Sequence, residues 1–197
     1  MSEGDGREAR GASAAPAPIA GEDAGAGPVA ALAARARAVA RPEARLVVLV
    51  DGRSGTGKTT LGGALAEQLG AQLVHLDDLY PGWDGLRDAA DAVVRDVLGA
   101  PSGYRRWDWE ASEPAGWVSL HPDLPIVVEG CGALSRASAP MATLRVWLEA
   151  DDDERRRRAI GRDGAVFEQE WERWAAQEIA FIAAEDPAAL ADVTVRT

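Results

Sequence analysis

Apolar and polar positions along this chain alternate between two patterns. Continuous apolar runs at residues 46–50, 73–76, 125–128 and 144–149 read as strands of a parallel sheet, the first and third with no polar side chain at all. Residues 192–195 add a last short strand. Between these runs, apolar residues recur at helical spacing. Val29, Leu32, Ala36 and Val39 predict a helix from Pro28 that stops before Pro42. Leu61, Ala64, Leu65 and Leu69 form one face of a second helix, with Gly70 as its stop. Leu86, Ala89, Val93 and Val97 mark a third over residues 85–98, and residues 169–184 a fourth, with Trp171, Trp174, Ile179 and Phe181 set among acids. Strand and helix alternation implies a parallel sheet with helices on both faces. Two stretches lack a period. Residues 1–27 are Gly, Ala, Pro, Ser and acids, a composition that predicts disorder and leaves one domain over residues 28–197. Residues 101–120 read as a loop, unusually rich in aromatics and arginines for a mere connection.

The first apolar run ends in a motif. Val50-Asp-Gly-Arg-Ser-Gly-Thr-Gly-Lys-Thr-Thr contains G-x-x-x-x-G-K-[ST], the phosphate loop of nucleotide-binding proteins. Glycines there allow positive φ, so that backbone N–H groups converge on phosphate oxygens. A helix starting near Lys58 points its positive dipole end at the same anion. Gly52, Arg53, Ser54, Gly55, Thr56, Gly57, Lys58, Thr59 and Thr60 are the expected nucleotide-binding residues, with Lys58 on the β- and γ-phosphates and Thr59 on Mg²⁺. Lys58 is the single lysine among 21 basic residues, so lysine occurs only where this chemistry asks for it. The expected cofactors are ATP and Mg²⁺.

Composition narrows the partners. A formal charge of −11 and a pI near 4.7 argue against a nucleic-acid partner or an anionic membrane surface. The single Cys131 excludes an internal disulfide and a zinc cluster, which fits a reducing cytoplasm. No apolar run approaches the ~20 residues of a membrane helix, and no N-terminal signal core is evident. A cytoplasmic protein that meets a nucleoside triphosphate and a small-molecule acceptor is the expectation.

Candidate chemistry lies at the carboxyl ends of the strands, where open α/β sheets bind ligands. Asp77 and Asp78 follow the second strand; a carboxylate there can take the proton of an acceptor hydroxyl or, more blandly, cap a turn. Glu129 ends the third strand, the position of an acid that binds Mg²⁺ or orients a nucleophile. Asp51 reads as a structural acceptor within the loop, and His75 as a buried, hydrogen-bonded histidine. Arg155, Arg158 and Arg162 share one side of a helix and can clamp a transferring phosphoryl, although a solvated, ion-paired face is the competing reading. Tyr80, Trp83, Tyr104, Trp107 and Trp109 are able to stack on a planar acceptor or simply to pack.

Four segments together resemble the uridine kinase-like branch of the P-loop nucleoside and small-molecule kinases. They are the phosphate loop, Leu76-Asp-Asp-Leu-Tyr-Pro-Gly-Trp-Asp-Gly-Leu, Val127-Val-Glu-Gly, and the stretch from Arg155 to Gly164. The resemblance spans most of residues 44–197 and implies a three-layer α/β/α P-loop NTPase fold, a mostly parallel sheet and a short arginine-rich lid. It makes Asp77 the base that activates the acceptor hydroxyl, assigns Arg155, Arg158 and Arg162 to the lid, and likens Trp107-Asp108-Trp109 to the acceptor segment. Tyr80, Trp83, Trp107 and Asp108 are then the expected acceptor-binding residues, and Thr59 and Glu129 the metal-binding pair. Leu79 stands where the family usually has Phe, and the acceptor-side segments are short. The implied activity is ATP-dependent phosphoryl transfer to a hydroxyl, of a nucleoside or another small molecule. A nucleotide switch or slow NTPase would use the same loop without an acceptor pocket.

Overall fold

The computed structural model describes residues 27–197; the tail expected to be disordered lies, apart from Gly27, outside them. In chain order the elements are α1 (Pro28–Val39), β1 (Val47–Gly52), α2 (Lys58–Leu69), β2 (Gln72–His75), a 3₁₀ turn (Leu76–Asp78), α3 (Leu86–Ala92), β3 (Gly103–Asp108), β4 (Glu113–Ser119), β5 (Ile126–Glu129), β6 (Leu144–Glu149), α4 (Asp152–Glu185), α5 (Pro187–Leu190) and β7 (Val193–Arg196). Five strands form one parallel sheet in the order β2-β5-β1-β6-β7, so β1 lies at its centre. This is the three-layer α/β P-loop fold.

The sheet explains the unbroken apolar runs. Successive side chains of a strand point to opposite faces, and both faces here are covered. Val48 and Val50 of β1 pack with Leu32, Ala36 and Leu65 from α1 and α2. Val47 and Leu49 pack on the other side, in a core shared with Leu76, Leu86, Val93, Trp174 and Phe181. All six β1 residues are buried. Complete burial of a side chain such as Leu49 contributes about 1.5–3 kcal/mol.

Two sequence expectations need correction. Residues 101–120 are not an irregular loop but an antiparallel hairpin, β3 paired with β4 from Gly103↔Ser119 to Asp108↔Glu113. A register shift between Arg105 and Trp107 breaks the alternation, and β4 is mostly exposed, so no period-two signal survives. Asp108 closes the turn by accepting from the N–H groups of Glu110 (3.0 Å) and Ala111 (2.9 Å). The arginine stretch and the later tryptophan helix are one helical run, α4. Asp151 caps it, accepting from Asp153 N and Glu154 N, and only Gly164 (φ 71°, ψ −158°) interrupts it. The third helix matches the expected span, although its last turn, Val93–Val97, is π-helical. Among the described residues no helix is long and apolar enough to cross a membrane.

Leu49→Ala should lower unfolding free energy by about 2–5 kcal/mol, read by urea denaturation, because a close-packed site between two covered faces cannot collapse around the deletion.

Candidate active site

The site begins where β1 stops. Gly55 (φ 82°) and Gly57 (φ 86°) are left-handed, and Gly57 delivers the chain into α2 with Lys58 as its first residue. Gly55 is required twice over: a Cβ there would sit 2.0 Å from the backbone oxygen of Arg155. The loop is closed on itself by the carbonyl of Arg53, which accepts from Lys58 Nζ (3.0 Å), Thr56 Oγ1 (2.8 Å) and Thr56 N (3.3 Å).

Side chains from elsewhere hold it. Asp51 accepts from the N–H groups of Gly52 (2.6 Å), Gly132 (3.1 Å) and Leu134 (2.8 Å), tying β1 to the loop after β5. Burial pushes its carboxyl up to about 7, outweighing those N–H donors and Lys58. Buried Glu178, from the second half of α4, accepts from Ser54 N (2.7 Å) and from Arg53 Nε (3.2 Å). Arg155, from the first half, donates to Ser54 O (3.0 Å) and pairs with Asp152. Cys131 lies between Ser54 Oγ (3.6 Å) and Glu178 (3.3 Å), and burial raises its thiol to about 12, so it is a packed thiol rather than a nucleophile.

A cavity of about 400 Å³ opens in front of the loop. Ser54, Gly55, Gly57, Lys58 and Thr59 form its floor, Glu129 and Asp77 stand on one side, and Arg162 and Asp163 of α4 on another. Tyr80, Trp83, Trp109, Val166, Phe167 and Trp174 complete the wall. Burial works to depress the Lys58 pKa, but neighbouring Cys131 and then Glu178, Glu129 and Asp51 outweigh it and raise the pKa above the ordinary lysine value. Asp77 opens to solvent within the cleft, yet the surrounding protein and then Glu129 raise its pKa above the ordinary carboxylate value.

Glu129 has a partner that the sequence did not reveal. His75 and Glu129 are register partners on neighbouring strands, and His75 Nδ1 lies 2.5 Å from Glu129 Oε1. His75 is thus half-exposed at a strand end, not buried within it, and the bond to Glu129 raises its pKa. Gly62 of α2 leaves room for the Glu129 side chain, since a Cβ there would lie 2.9 Å from its Cγ.

Not every expected residue reaches the cleft. Of the three lid arginines only Arg162 lines it, in a two-bond pair with Asp163 (2.7 Å each). Arg155 is buried beneath the phosphate loop as a brace, and Arg158 pairs with Glu154 and Thr197. Helical spacing placed all three on one side, but the loop occupies the space that Arg155 would need. Tyr80 and Trp83 line the cavity; Trp107 and Asp108 do not, because the hairpin turn consumes Asp108. Trp109 takes their place, its indole N–H donating to Asp77 O (2.8 Å). Gly52 lies behind the loop and exposed Thr60 on α2, both outside the cavity lining. Arg53 and Thr56 line a second cavity of about 520 Å³ with Glu149, Asp152, Arg155 and Arg196. Glu178, Phe167 and Trp174 escaped sequence reasoning because helix α4 supplies them from far along the chain, on a face indistinguishable from core.

Solved structures share this architecture. A possible uridine kinase from Bacillus stearothermophilus superposes with a TM-score of 0.54 at 19% identity, covering 81% of this chain and 94% of that one. A protein described as a candidate fructose transport system kinase from Silicibacter sp. TM1040 gives 0.52 at 20% identity, covering 86% and 100%. The chain has the fold of P-loop kinases. No protein-family model matches it, and no curated protein matches it in sequence.

Removing the brace separates stability from chemistry. Glu178→Ala should cost about 3 kcal/mol by denaturant unfolding, since Ser54 N and Arg53 lose a buried acceptor. It should also weaken ATP binding measured by calorimetry, whereas Glu178→Gln, which keeps an acceptor oxygen, should lose less of both.

Proposed function

We propose that this protein is an ATP- and Mg²⁺-dependent kinase that phosphorylates a hydroxyl of a small molecule. The observation that carries this reading is the convergence of the phosphate-loop Lys58 and Thr59 with two strand-end carboxylates, Asp77 and Glu129, around one cavity. A switch needs the first pair but has no use for an acid with a raised pKa facing an aromatic pocket.

The residues present fit the nucleotide and its metal. Gly55 and Gly57 turn backbone N–H groups toward the floor, and α2 begins there with its positive dipole end. Lys58 would leave the Arg53 carbonyl for the β- and γ-phosphates, and the second cavity, lined by Arg53 and Thr56, has the volume for the base and ribose. Thr59 and Glu129 are the metal-binding pair, with His75 fixing the Glu129 carboxylate; Mg²⁺ needs only one or two protein oxygens besides phosphate and water. When bound, Mg²⁺ neutralises charge developing on the transferred group. Asp77 accepts the acceptor's proton as its oxygen bonds to the γ-phosphorus and the bond to the bridging oxygen of ADP breaks. Arg162 stabilises the transferring phosphoryl from the α4 side, the contribution of such an arginine being roughly 10³–10⁵ in rate. The family resemblance makes a nucleoside one candidate among small-molecule acceptors, and a cytoplasmic setting free of membrane or nucleic-acid partners accords with the acidic chain and its single buried thiol.

Incubation with ATP, Mg²⁺ and an acceptor panel, with products read by mass, tests this. Asp77→Asn should cut transfer by about 10²–10⁴-fold while ATP affinity changes little, and Lys58→Ala should lose both. ATP turnover without a phosphorylated product, indifferent to Asp77→Asn, would establish the NTPase instead. Asp77 must be ionised to act, so kcat/KM should fall as pH drops through a pKa above the ordinary Asp value near 4.

A further inference from the structure

The cavity is divided in two. Every charged side chain that lines it, Lys58, Asp77, Glu129, Arg162 and Asp163, belongs to the phosphate-handling end. Beyond the phosphate-loop floor and the Gly130–Cys131 backbone, the remaining wall is aromatic and apolar: Tyr80, Trp83, Trp109, Val166, Phe167 and Trp174. These rings form one cluster. Trp83 stacks on Phe167 at 5.7 Å, meets Trp109 at 4.9 Å and Trp174 at 6.4 Å, and Trp174 meets Tyr80 at 4.7 Å.

Two polar atoms of this wall are engaged, whereas the indole N–H groups of Trp83 and Trp174 have no hydrogen-bond partner among the described residues. Tyr80 Oη donates to Cys131 O (2.9 Å) and Trp109 Nε1 to Asp77 O (2.8 Å). Gln177, which touches Trp83, spends its amide on the Trp83 carbonyl (2.5 Å) and on Leu86 N (3.4 Å). Among the described residues Lys58 and Arg162 are the only cations lining the cavity, against three carboxylates. Lys58 is claimed by nucleotide phosphate and Arg162 by the transferring phosphoryl in the proposed reaction, and Asp163 already offsets part of the Arg162 charge. An acceptor carboxylate or phosphate would find nothing to neutralise it. Two indole donors and no acceptor on this wall cannot satisfy the base edge and ribose of a nucleoside or the several hydroxyls of a sugar, and each group left over would be buried against rings at roughly tenfold or more in affinity.

We infer that the acceptor is an uncharged alcohol carried on an aromatic ring, held against Trp83 and Trp109, which Phe167 and Trp174 back from the core, with its hydroxyl at Asp77, rather than a sugar, a hydroxy acid or a nucleoside. This rests on the kinase reading and names the substrate class of that same site. The transfer is the one balanced above: the alcohol oxygen gains the γ-phosphoryl, ADP leaves, and the proton passes to Asp77. A ring of one or two fused six-membered cycles suits a space of about 400 Å³ that must also admit the γ-phosphate.

The test uses the full chain with ATP and Mg²⁺ and four probes: 2-phenylethanol, 2-naphthalenemethanol, uridine and gluconate. Phosphorylated product is read by mass, and binding by quenching of tryptophan fluorescence with a non-hydrolysable ATP analogue. The aromatic alcohols should be phosphorylated with kcat/KM at least about tenfold above uridine and gluconate. Trp109 is partly exposed on the hairpin, so its replacement leaves the core intact. Trp109→Ala should raise KM for the aromatic alcohols by about 3- to 10-fold with kcat little changed, and Trp109→Phe, which keeps a ring but no N–H, should restore most of it. Preference for uridine or gluconate overturns the inference while leaving the kinase reading standing. Trp109→Phe behaving like Trp109→Ala also overturns it, since the N–H bond to Asp77 and not the ring would then be at work. Quenching by the aromatic alcohols, with ATP hydrolysed but no phosphorylated product from these probes or from the wider acceptor panel, refutes the kinase reading and upholds the chemistry of the wall.

Discussion

The peptide of Ser54 is gripped at both ends by one helix, and the site depends on that grip. Its N–H is held by Glu178 and its carbonyl by Arg155, residues on opposite sides of the Gly164 break in α4. A phosphate loop must present several N–H groups at fixed positions before its ligand arrives, and glycines alone make such a loop loose, because Gly loses the most conformational freedom on ordering. The cost is offset by side chains that are themselves buried: Glu178 and Arg155 are each almost inaccessible. Gly55 pressed against the Arg155 backbone completes the brace from the other direction.

This arrangement gathers charge at low solvent exposure. Asp51, Lys58, Glu129 and Glu178 are all buried around the loop. Isolated burial of any of them would be expensive, and the structure answers with partners: backbone N–H groups for Asp51, His75 for Glu129, Arg53 and Ser54 for Glu178. Lys58 alone has only a carbonyl, that of Arg53. A lysine held in place yet bonded to one neutral acceptor is the member of the set most ready to exchange its partner for phosphate.

The sequence disclosed what is local and periodic. Parallel strands buried on both faces read as unbroken apolar runs, so β1, β5 and β6 were legible, and the phosphate loop is defined by spacing within nine residues. Asp77 and Glu129 were legible because strand ends of such sheets are where ligands go. What stayed hidden required two distant segments to be known together. His75 meets Glu129 only through the β2–β5 register, and Glu178 meets Ser54 across 124 positions. Arg155 carried the right charge in the right helix, yet a residue one turn from a lid can serve either the ligand or the loop beneath it, and spacing does not distinguish them. Trp107 and Asp108 close strand β3 and Trp109 opens the hairpin turn, and the register shift between Arg105 and Trp107 left no pattern to read.

Aromatic residues make the same point about function. Seven tryptophans in 197 residues invite a packing explanation, and Trp174 and Phe167 are indeed nearly inaccessible. A ring needs only one face on a cavity to bind, however, and its other face and edges are then free to join the core. Here Trp83 and partly exposed Trp109 face the cavity while Trp174 and Phe167 pack behind them, so the contacts that hold α4 against the loop after the 3₁₀ turn also shape the cavity wall. α4 therefore links the two ends of the cavity mechanically. Arg155 and Glu178 set the position of the phosphate loop, and Phe167 and Trp174, between them in the chain, set the wall that faces it. A displacement of the half of α4 that carries both Trp174 and Glu178 would move the phosphate loop and the aromatic wall together, which is the coupling the proposed transfer requires.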